Sequence, residues 1–349
     1  SDTCTAATLA PNATCAIGVT FTPSVSGSAS ASLSIVDDAP GSPLVVALTG
    51  TTTGAGSGGT NRLAGANRIA TAIATSTKAF PASGSAGAVV LARADQYPDA
   101  LAGVPLAAAK GGPLLLSESA SLDTATQAEI QRVLPSGGTV YLLGGSGALS
   151  TSIDTALQGL HYSATRLAGA SRFSTAVAVA KALGDPNQVF EVTGTNFPDA
   201  ISAGPAAVSA HGAILLTNGS NQAEDTFSYL AAHTGDHRTA IGGPAAAADQ
   251  GATGVGGPDR FATSAAVATT FFPSPKAVGL ATGLDFPDAL AGGATMGATG
   301  PMLLVSPSAP LPQSVSSYLS TDAKVATSVL VFGGTSVVGD DVVSAARNG

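Results

Sequence analysis

Charge is the scarcest property of this 349-residue sequence. Asp, Glu, Lys and Arg together make up 10% of it, far below the roughly one quarter usual for soluble domains. With 14 basic against 22 acidic residues, the net charge is −8. That excludes the broad basic face which nucleic acid binding needs. Tryptophan is absent and methionine occurs twice. No apolar run approaches the roughly 20 residues that cross a bilayer, so no membrane span is expected. The four histidines, His161, His211, His233 and His237, do not recur at matching positions. His233 and His237 are four apart, with no cysteine or repeated carboxylate beside them to complete a metal set. A G-x-S-x-G nucleophile elbow is also missing. These absences leave no catalytic residue, metal or cofactor to name, and the chain reads as a non-enzyme. An enzyme for small nucleotides or sugar phosphates would rest on fold analogy alone.

Cysteine is nearly absent too. Cys4 and Cys15 are close enough to suit a disulfide, with two buried free thiols as the alternative. A low-charge chain rich in Ser and Thr makes an extracellular setting natural for such a bond. The chain opens at Ser1 without a leader-like stretch, which reads as a mature form or a fragment. Asn12-Ala13-Thr14 and Asn218-Gly219-Ser220 fit the N-glycosylation pattern, which is common by chance.

What is present is repetition. Tyr97-Pro98-Asp99-Ala100-Leu101-Ala102-Gly103 returns as Phe197-Pro198-Asp199-Ala200-Ile201-Ser202-Ala203 and as Phe286-Pro287-Asp288-Ala289-Leu290-Ala291-Gly292. Each copy follows an apolar run, at 88–92, 188–192 and 277–281, and precedes a second one, at 114–116, 214–216 and 302–305. Proline suits the first turn of a helix, where its missing N–H has no partner to lose. The aspartate after it sits at the positive end of the helix dipole. Apolar run, Pro-Asp, then small residues reads as strand, turn and helix, half of a βαβ unit. Ahead of each stands a further helix capped by Asn67, Ser171 or Asp259. Behind each comes an amphipathic helix, as at 122–134 or 313–319, and a third strand. That strand ends in a glycine pair: Gly144-Gly145, Gly242-Gly243 or Gly333-Gly334. Runs without alternation predict parallel sheets covered on both faces.

Residues 1–50 differ. Three short stretches, 16–21, 31–36 and 44–48, predict antiparallel strands, with Ile17, Val19 and Phe21 on one face. Residues 51–61, rich in Gly and Thr, predict a flexible linker. Three repeats then occupy 62–159, 160–250 and 251–349.

The ordered set Arg62-Leu63-Ala64-Gly65, Arg68, Thr71-Ala72, the Pro-Asp motif, Pro113-Leu114-Leu115-Leu116 and Gly144-Gly145 resembles the type-2 cell-wall-binding repeat of Gram-positive surface proteins. The resemblance covers nearly all of 62–347. It implies an α/β fold of three Rossmann-like or Toprim-like modules around a pseudo-threefold axis. It implies a non-catalytic surface protein, extracellular on the cell wall, held non-covalently by an anionic polysaccharide or teichoic-type polymer. Residues 15–23, 26–27, 33–35 and 48–50 resemble the later strands of an abnormal-spindle-like or choice-of-anchor immunoglobulin-like module. A full sandwich of that kind needs about 100 residues, so its opening strands are expected outside this chain. The alternative function is a subunit of a surface fibre or layer, its N-terminal strands pairing with a neighbouring chain.

The repeats are unequal. Gly254 stands where repeats one and two have Arg62 and Arg166, and Ala213 where repeat one has Pro113. Candidate polymer contacts are Arg62, Arg166, Arg68, Arg172 and Arg260, with Asn196 and Asp285 at strand ends, where open α/β sheets bind ligands. Repeat one has Arg93-Ala94-Asp95-Gln96 at that place. For Arg68, Arg172 and Arg260 a competing reading is a structural pair with Asp99, Asp199 and Asp288. The glycine pairs read as structural turns or as backbone cradles for anions.

Overall fold

The computed structural model describes residue 4 and residues 14–19, 27–38, 42–52, 60–324 and 326–348. Two compact units, 1–59 and 60–349, are taken separately.

In the first unit, β1 (Gly27–Ile35) and β2 (Leu44–Thr52) pair antiparallel, with Ile35 opposite Leu44. Leu33, Ile35 and Leu48 are half-buried, while Leu44, Val45 and Val46 are exposed. Of the strand expected over 16–21, residues 16–19 are described and carry one β-bridge, at Ile17. Phe21, Asn12 and linker residues 53–59 lie outside the described residues. Cys4 and Cys15 form a disulfide.

In the second unit, repeat one contributes β3 (Thr60–Leu63), α1 (Arg68–Ala79) and β4 (Ala88–Arg93). A 3-10 turn (Ala100–Ala102) then leads into α2 (Gly103–Ala109), β5 (Leu114–Ser117), α3 (Thr124–Val133), β6 (Thr139–Leu143) and α4 (Thr151–Gly159). Repeat two contributes β7 (Ser163–Leu167), α5 (Arg172–Ala182), β8 (Gln188–Thr193), α6 (Pro198–Ser209), β9 (Ala213–Thr217), α7 (Glu224–Ala232), β10 (His237–Ile241) and α8 (Gly243–Ala248). Repeat three contributes β11 (Thr253–Val255), α9 (Arg260–Phe271), β12 (Ala277–Thr282), α10 (Pro287–Met296), β13 (Met302–Val305), α11 (Gln313–Thr321), β14 (Ser328–Phe332) and α12 (Asp340–Asn348).

The local signals act where expected. Asn67, Ser171 and Asp259 each accept a backbone N–H of the first turn of their helix. Pro198 and Pro287 occupy the first position of α6 and α10. In repeat one the same motif forms a turn, and regular α-helix begins only at Gly103.

The second unit contains three four-stranded sheets, ordered β5-β4-β6-β7, β9-β8-β10-β11 and β13-β12-β14-β3. Every pairing within them is parallel. The opening strand of each repeat is the edge strand of the sheet before it. β7 of repeat two completes the sheet of repeat one, and β11 of repeat three completes that of repeat two. β3 closes the ring by pairing with β14, so Leu63 lies opposite Phe332. Sequence repeat and sheet are therefore offset by one strand.

The central strands β4, β8 and β12 are buried almost throughout, as double coverage by helices requires. Their inner faces share one core, running through Val90, Leu106, Phe190, Ile201, Leu290 and Phe332. α2, α6 and α10 meet there, each touching the other two. Gly204 and Gly293 both face Val104, where an added Cβ would come within 3.0 Å of its methyl. Small residues are thus what let the three helices meet. The outer faces carry separate cores, one per sheet.

Candidate functional site

In each sheet the chain turns from the central strand to one neighbour, then crosses back to the other. The switch point lies between β12 and β14, and likewise between β4 and β6 and between β8 and β10. Beyond the carboxyl ends of strands at such a point, backbones diverge and leave a crevice. The Pro-Asp motif, the glycine pair and the first helix of the following repeat all arrive there.

The recurring arginines are built into this edge in the same way three times. Arg68 Nη1 donates to Ala94 O at 2.8 Å, and Arg172 Nη1 to Gly194 O at 2.6 Å. Arg260 Nη1 makes the matching bond to Gly283 O at 2.5 Å. Each accepting carbonyl stands just past the central strand of the arginine's own repeat. Each guanidinium also lies over the aromatic ring of the repeat before it. Arg68 is 5.5 Å from the Phe286 ring, Arg172 6.0 Å from Tyr97 and Arg260 5.9 Å from Phe197. The three rings meet one another, with centroids 5.7 to 6.2 Å apart, the tilted spacing aromatic pairs favour. Tyr97 adds a hydrogen bond from its hydroxyl to Thr195 O. This aromatic trio was present in the sequence as the residue before each Pro-Asp, where its recurrence was a signal without an assigned role.

The direct pairing of these arginines with Asp99, Asp199 and Asp288 does not occur within ion-pair distance among the described residues. Arg68 instead pairs with Asp285 at 3.3 Å. The three aspartates face the glycine pairs. Gly144, Gly242 and Gly333 have φ of +94°, +85° and +112°, and a Cβ on each would come within 2.6 Å of the facing aspartate oxygen. Glycine is thus required twice over, by backbone angle and by space. Burial pushes Asp199 up to about 6, with Arg260 pulling the other way. Burial also raises Asp288, opposed by a hydrogen bond from Thr71. The Thr71 hydroxyl in turn accepts from Gly65 N, and Thr175 and Thr263 do the same for Gly169 and Gly257.

The N–H of the first glycine in each pair is engaged. Gly144 N donates to Leu167 O, Gly242 N to Val255 O and Gly333 N to Leu63 O, each joining one repeat to the opening strand of the next. Arg62 and Arg166 hold the same turns. Arg62 donates to Gly333 O and pairs with Asp340 at the start of α12. Arg166 donates to Gly144 O and Gly145 O and pairs with Asp154 in α4. Both arginine side chains are about four-fifths buried, at 21% and 20% exposure. Their geometry is that of a clamp on the neighbouring repeat. Gly254, on β11, has no such clamp, and α8 beside it lacks the matching aspartate in its first turn.

Where repeat three meets repeat one, these parts enclose a cleft of about 330 Å³. Asn67, Arg68, Thr71, Asp285, Asp288 and Ser336 are in its wall. Arg68 is paired there with Asp285, and the other groups are hydrogen-bonding side chains suited to hydroxyls. Asn196 sits at the equivalent of Asp285, with its side-chain oxygen turned to Phe197 N. The histidines gather nowhere: His233 stacks on Tyr229 and bonds its carbonyl. Among the described residues no group of three or more His, Cys, Asp or Glu could hold a metal. Among the same residues no helix is long and apolar enough to cross a membrane.

Comparison with known proteins places this geometry. The profile for "Cell wall binding domain 2 (CWB2)" matches residues 62–154, 166–250 and 255–343. The chain is 27% identical over 237 residues to the N-acetylmuramoyl-L-alanine amidase LytC of Bacillus subtilis (strain 168), covering 66% of this chain and 47% of that protein. It is 31% identical over 159 residues to the amidase enhancer of the same organism, covering 45% of this chain and 22% of that protein. Among solved structures, Cwp8 from Clostridium difficile matches with a TM-score of 0.75 at 26% identity. The match covers 82% of this chain and 51% of that one. Cwp6 from the same organism gives 0.75 at 22% identity, covering 90% of this chain and 51% of that one, and shares the fold. The chain thus spans about half the length of three of these relatives and less of the fourth.

Proposed function

The chain belongs to the cell wall binding domain 2 family, and from that premise we propose that it attaches non-covalently, without catalysis, to an anionic polymer of the bacterial cell wall. The observation that carries this reading is the threefold recurrence of one arginine, one aromatic ring and one carboxylate at the ligand-binding edge of three parallel sheets. Only 14 basic residues exist in the chain, and three of them recur there. Arginine's planar fork suits phosphate or carboxylate, and a local arginine does so despite a net charge of −8. In this reading Arg68, Arg172 and Arg260 face the polymer, with Asn196 and Asp285 beside them. Arg62 and Arg166 act through the turns they clamp, and Asp99, Asp199 and Asp288 with the glycine pairs shape the edge. The polymer is a polysaccharide or teichoic-type chain, and the setting is extracellular, on the wall.

The matches to an amidase and an amidase enhancer fall within this reading when the shared part is their wall-binding repeats. We read residues 1–50 as part of an immunoglobulin-like module. Exposed Leu44, Val45 and Val46 on β2 favour a second reading beside the first, in which a neighbouring chain pairs with this hairpin in a fibre or layer.

The test is co-sedimentation of the purified chain with cell walls before and after their anionic polymers are stripped. Retention on intact walls, loss on stripped walls and weakening by salt are expected. Equal retention on stripped walls would reject the anionic polymer as the ligand.

A further inference from the structure

The three arginines share a backbone anchor and a stacking ring, yet they differ in what else faces them. The residue before each ring is Gln96 in repeat one, Asn196 in repeat two and Asp285 in repeat three. By the cyclic arrangement, Arg172 meets the Gln96 position, Arg260 meets Asn196 and Arg68 meets Asp285. Only the last position carries a charge, and Arg68 Nη2 pairs with it at 3.3 Å. Arg172 and Arg260 have no carboxylate within ion-pair distance among the described residues. Each spends Nη1 on a strand-end carbonyl and turns no other guanidinium nitrogen to an intrachain acceptor among those residues. Asp95, beside the Arg68 anchor, is taken up by a two-pronged ion pair from Arg93, so that pair adds no net charge near Arg68. The residues at the same place beside Arg172 and Arg260 are Thr195 and Leu284, which carry none.

We propose that the chain contacts the anionic groups of its polymer through Arg172 and Arg260, and that Asp285 occupies Arg68 as an internal competitor, leaving the junction of repeats three and one without an anion site. The inference rests on the wall-binding reading above and narrows its three arginines to the two that carry the charge recognition. An anion approaching Arg68 must displace or sit against a carboxylate that is half exposed, at 50%. At Arg172 and Arg260 it meets a half-buried guanidinium with a neutral amide beside it. Asp285 and Asn196 hold the same local geometry, since each turns its side-chain Oδ1 to the following backbone N–H at 2.9 Å. The difference between the junctions is therefore one charge and not a different turn.

That equivalence supplies the control. Arg68→Gln, Arg172→Gln and Arg260→Gln each remove the same carbonyl bond and the same ring contact, so that part of any structural loss is common to all three, while Arg68→Gln alone also loses the Asp285 pair. Asp285→Asn replaces the acid with the residue type repeat two already uses. Binding of the full chain to purified walls that keep their anionic polymer is measured for each variant, with inorganic phosphate as competitor and thermal melting as the check on folding. Arg172→Gln and Arg260→Gln are expected to weaken binding by about tenfold each, the change one charge-assisted hydrogen bond carries. Arg68→Gln should change it by less than about twofold. Asp285→Asn should tighten it severalfold and make it more sensitive to phosphate. If the parent chain binds walls but Arg68→Gln weakens binding as much as the other two, or Asp285→Asn leaves it unchanged, the inference is overturned while the wall-binding reading stands. If the parent chain does not bind walls, the reading itself fails.

Discussion

Repeats one and three solve the outer face of their sheets in one way, and repeat two in another. Leu91 on β4 and Leu280 on β12 are fully buried between an apolar neighbour strand and a helix. α4 supplies Ile153 and Leu157 to that cover, and α12 supplies Val342, Val343 and Ala346. The matching residue of β8 is Glu191, and it too is fully buried. Its cover is shorter: α8 has 6 residues, against 9 in α4 and α12, and buries only Ala245. Polar side chains fill the difference. Gln222 donates to Glu191 at 2.6 Å, and Arg238 pairs with Asp249 at 2.7 Å. One Glu191 oxygen and the Gln222 side-chain oxygen have no partner. Burial, with Asp249 close by, pushes Glu191 from its ordinary 4.5 up to about 7. The comparison teaches that the inner face and its ring are what the fold holds constant, since the outer layer was rebuilt around a carboxyl without disturbing them.

The comparison breaks most sharply if the polar solution is moved to a sheet with an apolar cover. Leu280→Glu should destabilise the repeat body by about 3 kcal/mol or more, the cost of an uncompensated buried charge, read as a fall in melting temperature. A change under about 1 kcal/mol would mean the outer layers are interchangeable. Next comes pH. Glu191 binds its proton more tightly folded than unfolded, so its contribution is present below about pH 4.5 and is lost as pH rises through about 7. Stability should therefore fall between pH 5 and pH 8, by up to roughly 3 kcal/mol from this group. Asp199, raised to about 6, adds to the fall in the same direction. Glu191→Gln should flatten the slope but leave the share from Asp199, and an unaltered slope would remove Glu191 from the account.

Smaller effects sharpen the same picture. Gly144→Ala should cost about 2 kcal/mol, through its positive φ and the contact with Asp99. Gly145→Ala, with open space around its Cβ position, should stay within about 0.5 kcal/mol. Smallest is the clamp. Arg166→Gln should cost about 1 kcal/mol through loss of Asp154 and two carbonyls. Gly254→Arg should gain nothing, because α8 offers no carboxylate in its first turn. Melting curves of these variants decide each case.

Much of this was readable in the chain itself. Three Pro-Asp motifs, the capping residues Asn67, Ser171 and Asp259, and unbroken apolar runs define the strands and helices next to them, because those signals act over a few residues. The opening strands were not readable. Thr60–Leu63 and Thr253–Val255 are short and largely polar, and their pairing is decided elsewhere. Arg62 bonds Gly333, 271 residues away. For the same reason the arginine–aspartate pair expected within each repeat gave way to contacts across repeats. Each arginine reaches back to the ring of the repeat before it, and local spacing cannot reveal a partner supplied by a neighbour. The aspartate is explained by the first glycine of the pair, a fit of carboxylate against bare backbone that only the folded chain displays.

Each repeat opens with a strand belonging to the sheet of its neighbour, so that every junction between repeats is shared. Hydrogen exchange on the full chain carrying Leu63→Asp tests it most directly. Leu63 is 7% exposed and faces Phe332 across the β3–β14 pairing. Exchange is expected to rise first at residues 328–333, at the far end of the sequence. The contrary result, faster exchange at residues 88–93 of the same repeat with 328–333 still protected, would show that the ring does not close in this way.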